Sequence, residues 1–138
     1  MISTTCQYAL RALAQLDRNG GQEPLLSRDI AASAGIPRHF LAKILQILAQ
    51  HGFVRSQKGP GGGFILGQRA EDITVGQVMT AVDGHQRPES NCLLGHAECS
   101  VARACPLHEA WSDIRVRFTE QIGALTVRDI AAIDRTAP

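Results

Sequence analysis

Five consecutive residues, Gly59-Pro60-Gly61-Gly62-Gly63, restrict the fold of this chain more than any others. Glycine and proline oppose helix. The flanking runs, Phe53-Val54-Arg55-Ser56-Gln57-Lys58 and Phe64-Ile65-Leu66-Gly67, are β-prone, so the stretch reads as a hairpin around a Gly/Pro turn. It is not a nucleotide phosphate loop, because no Gly-Lys-Ser/Thr follows. A plain structural hairpin is the lesser alternative. The residues before it give it a second meaning.

Ser27 suits the N-cap of a short helix over 28–34, and Gly35 suits a left-handed C-cap. Ile36-Pro37 opens a second helix, with proline at its first position, where the missing N–H costs little. This helix runs to about Gln50, and Gly52 stops it. Phe40, Leu41, Ile44, Ile47 and Leu48 form its apolar stripe, and His39, Ala42, Lys43, Gln46 and Gln50 the opposite face. Two short helices joined by a glycine turn make a helix-turn-helix, and a hairpin directly after it reads as a wing. Upstream, Tyr8, Leu10, Leu13 and Leu16 recur at helical spacing over 5–17, and Asn19-Gly20-Gly21 ends that helix. Downstream, Thr74 and Gln77 form a capping-box pattern for a helix over 75–82.

Charge points the same way. Residues 1–69 carry eight Lys/Arg and three acids, while residues 70–138 carry six and ten, so a net of +5 faces a net of −4. A basic half suits a polyanion, although the clustering is also compatible with a merely solvated face. The N-terminal part of a recognition helix faces the bases. Arg38, His39, Phe40 and Lys43 are therefore the candidate groove readers, with Arg38 equally suited to clamping a phosphate. Lys58 and the tip residues Gly59, Pro60 and Gly61 are candidates for the DNA backbone or minor groove. The expected partner is a double-stranded DNA operator.

Four cysteines remain to be placed. No apolar run approaches the roughly 20 residues that span a bilayer. The first residues, Met1-Ile2-Ser3-Thr4-Thr5, do not resemble a secretory signal. A cytoplasmic chain without a membrane partner is expected, and there grouped cysteines are more often metal ligands or redox sensors than disulfides. Six residues separate Cys92 from Cys99, and five separate Cys99 from Cys105. That is neither the zinc-knuckle spacing nor the bacterial ferredoxin run. Wide spacing on a loop suits an object larger than one ion, and thiolates favour zinc, copper(I) and iron–sulfur cores. His108, three residues after Cys105, is the nearest fourth ligand. His96 and Cys6 have plainer readings, as a solvated loop imidazole and a core thiol.

From Pro106 the pattern turns helical again. Leu107, Trp111, Ile114, Phe118, Ile122 and Leu125 form a seam for a partner helix, either a second copy across a twofold or the chain's own core. Thr126 with Asp129 suggests the cap of a last helix ending near residue 133. The expected fold is mainly α with a small β-hairpin: a winged helix-turn-helix over 1–83, a cluster-binding loop over 84–105, and a long dimerisation helix plus a C-terminal helix over 106–138.

Four segments, T-T-C-Q-Y-A-L-R-A-L, G-I-P-R-H-F-L-A-K-I-L, K-G-P-G-G-G-F-I-L-G and C-P-L-H-E-A-W, together resemble the Rrf-type winged-helix regulators over nearly the whole chain. The resemblance implies a homodimeric DNA-binding transcription regulator carrying an iron–sulfur cluster. Cys92, Cys99 and Cys105 match its cluster cysteines, and His108 matches the histidine of the IscR type. The NsrR type uses an acidic residue on the first helix, where this chain has Gln7, a poor ligand. The chain departs from the IscR type by one extra residue between the first two cysteines and by Lys58 in place of arginine. A 2Fe–2S cluster is expected, with 4Fe–4S as the alternative. The implied signals are redox state, nitric oxide or iron–sulfur status. The alternative is a winged-helix regulator without a cluster, controlled by thiol oxidation or a protein partner. A structural zinc site comes third. No Ser/His/Asp grouping or nucleotide-binding fingerprint points to an enzyme, and no small-molecule substrate is expected.

Overall fold

A run rich in alanine and leucine makes α1, Thr4–Arg18, in a computed structural model that describes residues 2–84, 92–96 and 99–133. The Ser3 hydroxyl caps it by accepting from the Cys6 N–H at 3.0 Å. Cys6, Ala9, Ala12, Leu13 and Leu16 are fully buried, so α1 is the axis on which the other elements pack. Burial of a leucine side chain such as Leu13 contributes about 1.5–3 kcal/mol. Around α1 sit α2 (Ser27–Ala34), α3 (Arg38–Gln50), α4 (Val75–Asp83) and α6 (Val127–Ile133). With α5 (His108–Gln121), the described residues hold six α-helices and one hairpin.

The turn between α2 and α3 follows the sequence. Gly35 takes φ +65° and ψ +42°, and its N–H closes on the Ala31 carbonyl. Two boundaries differ by one residue. Leu26 occupies the N-cap of α2 without a side-chain cap, so Ser27 is the first helical residue rather than the cap. Pro37 is the N-cap of α3, and its carbonyl accepts from the Phe40 and Leu41 N–H groups. On α3 the buried residues are Leu41, Ile44, Leu45 and Leu48. Phe40, expected in the apolar stripe, is 46% exposed. It lies in the first turn, where its ring meets Tyr8 and His39 instead of the core. Leu45, outside the expected stripe, is buried.

The hairpin pairs β1 (Val54–Gln57) with β2 (Gly63–Leu66) in antiparallel register, Val54 opposite Leu66 and Gln57 opposite Gly63. The segment ahead of α2 joins it: the Leu25 and Phe64 backbones exchange hydrogen bonds of 3.0 and 2.7 Å. Gly63 makes this possible, since a Cβ there would stand 2.4 Å from the Leu25 carbonyl oxygen. A 3-10 turn, Ala70–Asp72, leads to α4, whose Thr74–Gln77 capping box is complete.

The C-terminal part is built differently. The helix expected from Pro106 begins at His108 and ends at Gln121, about 21 Å long, so Leu125 of the expected seam lies beyond it. Among the described residues, none of α5 is buried; Trp111 and Phe118 are half-buried, and Ile114 is 51% exposed. The chain then returns to the core. Thr126 and Asp129 cap α6 reciprocally, and Val127 is fully buried with its N–H on the Ile73 carbonyl. Arg128 pairs with Asp17 of α1 at 2.8 and 3.1 Å, and Arg18 Nε donates to the Ala131 carbonyl at 3.1 Å.

Candidate metal centre and nucleic-acid interface

Cys92, Cys99 and Cys105 converge although the chain separates them widely. Their three Sγ atoms all lie within 4.8 Å of one another. Cys92 Sγ is 3.7 Å from Cys105 Sγ, and Cys99 Sγ is 3.4 Å from His108 Nδ1. His108 is the first residue of α5, and its N–H donates to the Cys105 carbonyl at 3.0 Å, which ties the last cysteine to the helix start. Gly95, at φ +78°, turns the chain after Cys92, and its N–H donates to the Cys92 carbonyl at 3.0 Å. The His96 and Leu94 backbone amides favour the Cys92 thiolate. With help from Cys105 and Cys99 they hold its thiol down at about 7. Cys105 moves the other way, raised mainly by desolvation and also by its contact with Cys92. Two sulfurs in contact titrate as a pair, one proton leaving before the other.

This donor set fits a thiophilic metal group. One tetrahedral ion with bonds of about 2.3 Å sets its sulfurs about 3.8 Å apart, close to the Cys92–Cys105 separation. Cys99 and His108 form a second close pair beside it. Backbone amides aimed at a ligand sulfur are also what tunes an iron–sulfur centre. The other sequence candidates are elsewhere or exposed. Cys6 is buried in the core, and burial together with the Asp83 charge pushes its thiol up to about 12. His96 is exposed, and its part in the site is through its backbone. An open groove of about 700 Å³ lined by His51, Gln77, Thr80 and Glu120 contains none of the cysteines.

The candidate DNA contacts lie on two elements. Arg38, His39, Phe40 and Lys43 all project from the first half of α3 and are exposed. Lys58, Gly59, Pro60 and Gly61 form the exposed hairpin tip. Arg55 of β1 is a further exposed cation on the hairpin, which the search for turn residues passed over. Strand alternation alone would have flagged it. Arg11 of α1 was also passed over, because a tertiary contact, not a motif, brings it to the α2–α3 turn.

Residues 2–133 match the family model Rrf2, described as an iron-dependent transcriptional regulator. The chain belongs to the Rrf2 family of transcription regulators. The HTH-type transcriptional regulator IscR of Sodalis glossinidius is 30% identical over 126 residues, covering 91% of this chain and 75% of the relative. IscR of Escherichia coli O1:K1 / APEC is 31% identical over 124 residues, covering 90% and 75%. Among solved structures, the Bacillus subtilis global cysteine regulator CymR superposes with a TM-score of 0.79 at 27% identity, covering 96% of this Rrf2 chain and 97% of CymR. IscR of T. potens gives 0.76 at 22% identity, covering 100% and 92%. The winged-helix architecture expected from sequence is that of these neighbours. The named relatives are regulators, in line with the reading of this Rrf2 chain as a regulator and not an enzyme. No described helix is long and apolar enough to cross a membrane.

Proposed function

We propose that this chain is a cytoplasmic, homodimeric operator-binding regulator whose grip on DNA is set by an iron–sulfur cluster. Cys92, Cys99, Cys105 and His108 would hold the cluster. The observation that carries this reading is the convergence of three sulfurs and one imidazole nitrogen from four separated positions. Three thiolates and one imidazole favour the 2Fe–2S form over 4Fe–4S. When bound, the cluster supplies a redox-active, oxidant- and nitric-oxide-labile group. The protein's own part is to stabilise the Cys92 thiolate with loop amides, which lets its proton pass to solvent, and to tie Cys105 and His108 to the start of α5.

The domain roles follow: residues 1–83 as the reader, 84–105 as the cluster loop, and 106–138 as the dimerisation and C-terminal helices. The exposed apolar residues Ile114, Val116 and Leu107 support a second copy against α5. Arg38, His39, Phe40 and Lys43 would enter the major groove, and Lys58 with Gly59, Pro60 and Gly61 would meet the backbone or minor groove. Cluster and DNA must influence each other reciprocally, with about 1–3 kcal/mol of coupling.

Anaerobic purification with iron and sulfide analysis tests the cluster. Coloured protein with iron and sulfide in equal amounts is expected, and Cys92→Ala, Cys99→Ala or Cys105→Ala should each remove the colour. Iron-replete protein that stays colourless would overturn it. A second reading, thiol oxidation without a cluster, is favoured by the 3.7 Å contact of Cys92 and Cys105. A peroxide-formed disulfide between them, with iron absent throughout, would select that reading.

A further inference from the structure

Arg11 leaves the middle of α1 and reaches the turn between α2 and α3. Its Nη2 donates to the Ala34 carbonyl and lies 3.4 Å from the Gly35 carbonyl oxygen. These are carbonyls at the C-terminal end of α2, where the helix dipole is negative and a cation is favoured. The same guanidinium stands 5.6 Å over the Tyr8 ring. Tyr8 in turn meets Phe40, ring centres 6.2 Å apart, and Phe40 meets His39 at 4.5 Å. Gly35 leaves room for the arrangement: a Cβ there would stand 2.9 Å from Arg11 Nη2. One cation thus joins α1, the end of α2 and, through Tyr8, the first turn of α3.

We propose that Arg11 is a positioning residue for operator recognition: its guanidinium fixes the angle at which α3 presents Arg38, His39 and Phe40, without itself contacting DNA. The inference rests on the assignment of those three residues to the operator face. A planar fork with a stacking face does this work, and a lysine ammonium supplies only the charge.

The test measures operator affinity, salt dependence and thermal midpoint for wild type, Arg11→Ala, Arg11→Lys and His39→Ala, using the intact dimer and an operator selected from random DNA. Arg11→Ala should weaken specific binding by about tenfold, with non-specific binding and the slope of log affinity against log salt unchanged. Arg11→Lys should recover only part of that loss. Full recovery by lysine, or a slope reduced by about 0.9, would make Arg11 a phosphate contact and overturn the proposal. Unchanged specific affinity in Arg11→Ala would overturn it too. If Arg11→Ala does not fold, Arg11→Lys decides alone, with wild-type affinity counting against the proposal. His39→Ala separates the two levels: if it and both Arg11 variants bind as wild type, the operator-face assignment fails; if His39→Ala alone weakens binding, only the role of Arg11 fails.

Discussion

Leu13 and Ile114 are both aliphatic residues on helices, yet Leu13 exposes none of its surface and Ile114 exposes 51%. The contrast holds for the whole of their elements. Seven residues of α1 are buried, and none of α5 is. The first region carries the proposed DNA-reading elements on a packed core. The second carries the cysteines and a helix without a buried residue. Regions that must change state are drawn from the low-stability end of a fold, and reading surfaces need a rigid support. The difference between α1 and α5 is the one the proposed function would need.

The widest contrast lies between two cysteines. In metal-free protein, Cys92 should react with iodoacetamide half-maximally near pH 7, its rate rising as pH rises through that value. Cys6, pushed up to about 12 and fully buried, should react about ten-thousandfold more slowly at pH 7. Peptide mapping after a short pulse reads both; equal labelling would break the comparison. Next in size, Leu13→Ala should cost about 3–5 kcal/mol in a denaturant titration. Ile114→Ala should change the folding of dilute protein by less than about 0.5 kcal/mol and act on self-association instead. A large folding cost at Ile114 would mean that α5 belongs to the monomer's core. Smaller still is a pair of helix starts. Thr74→Ala breaks a completed capping box and should cost about 1 kcal/mol. Ser27→Ala, where no side-chain cap exists, should leave the thermal midpoint nearly unchanged. The smallest effect is at the wing: Lys58→Ala should lower the salt slope of DNA binding by about 0.9 while leaving stability alone.

What could be read from sequence was local. The Gly35 cap, the Thr74–Gln77 box and the glycine-rich turn each depend on backbone preferences within a few residues, and each took its expected form. The cysteine trio was legible through residue type and compartment chemistry. Its internal pairing was not, because loop closure sets Cys92 against Cys105 across thirteen residues and leaves Cys99 beside His108. Phe40 misled for a related reason. Helical periodicity places it next to the stripe, but in the first turn of α3 its ring meets the half-buried Tyr8 of α1 and the exposed His39, and it stays 46% exposed. The reach of Arg11 is likewise a product of tertiary packing, invisible in any window of sequence. The ends of α5 were overrun because the apolar spacing continues past Gly123, although the helix stops at Gln121.

The exchange of bonds between Leu25 and Phe64 has a consequence for regulation. A hairpin stitched to the strand-like segment ahead of α2 is not a free flap; hairpin, α2–α3 turn and α3 pack as one unit. Under the proposed function, a signal arising at the cysteines would have little purchase on the fit inside a single half-site. In the homodimer proposed above, it would instead alter how far apart, and at what tilt, two such units stand on the double helix, so effectors would act as adjusters of half-site spacing.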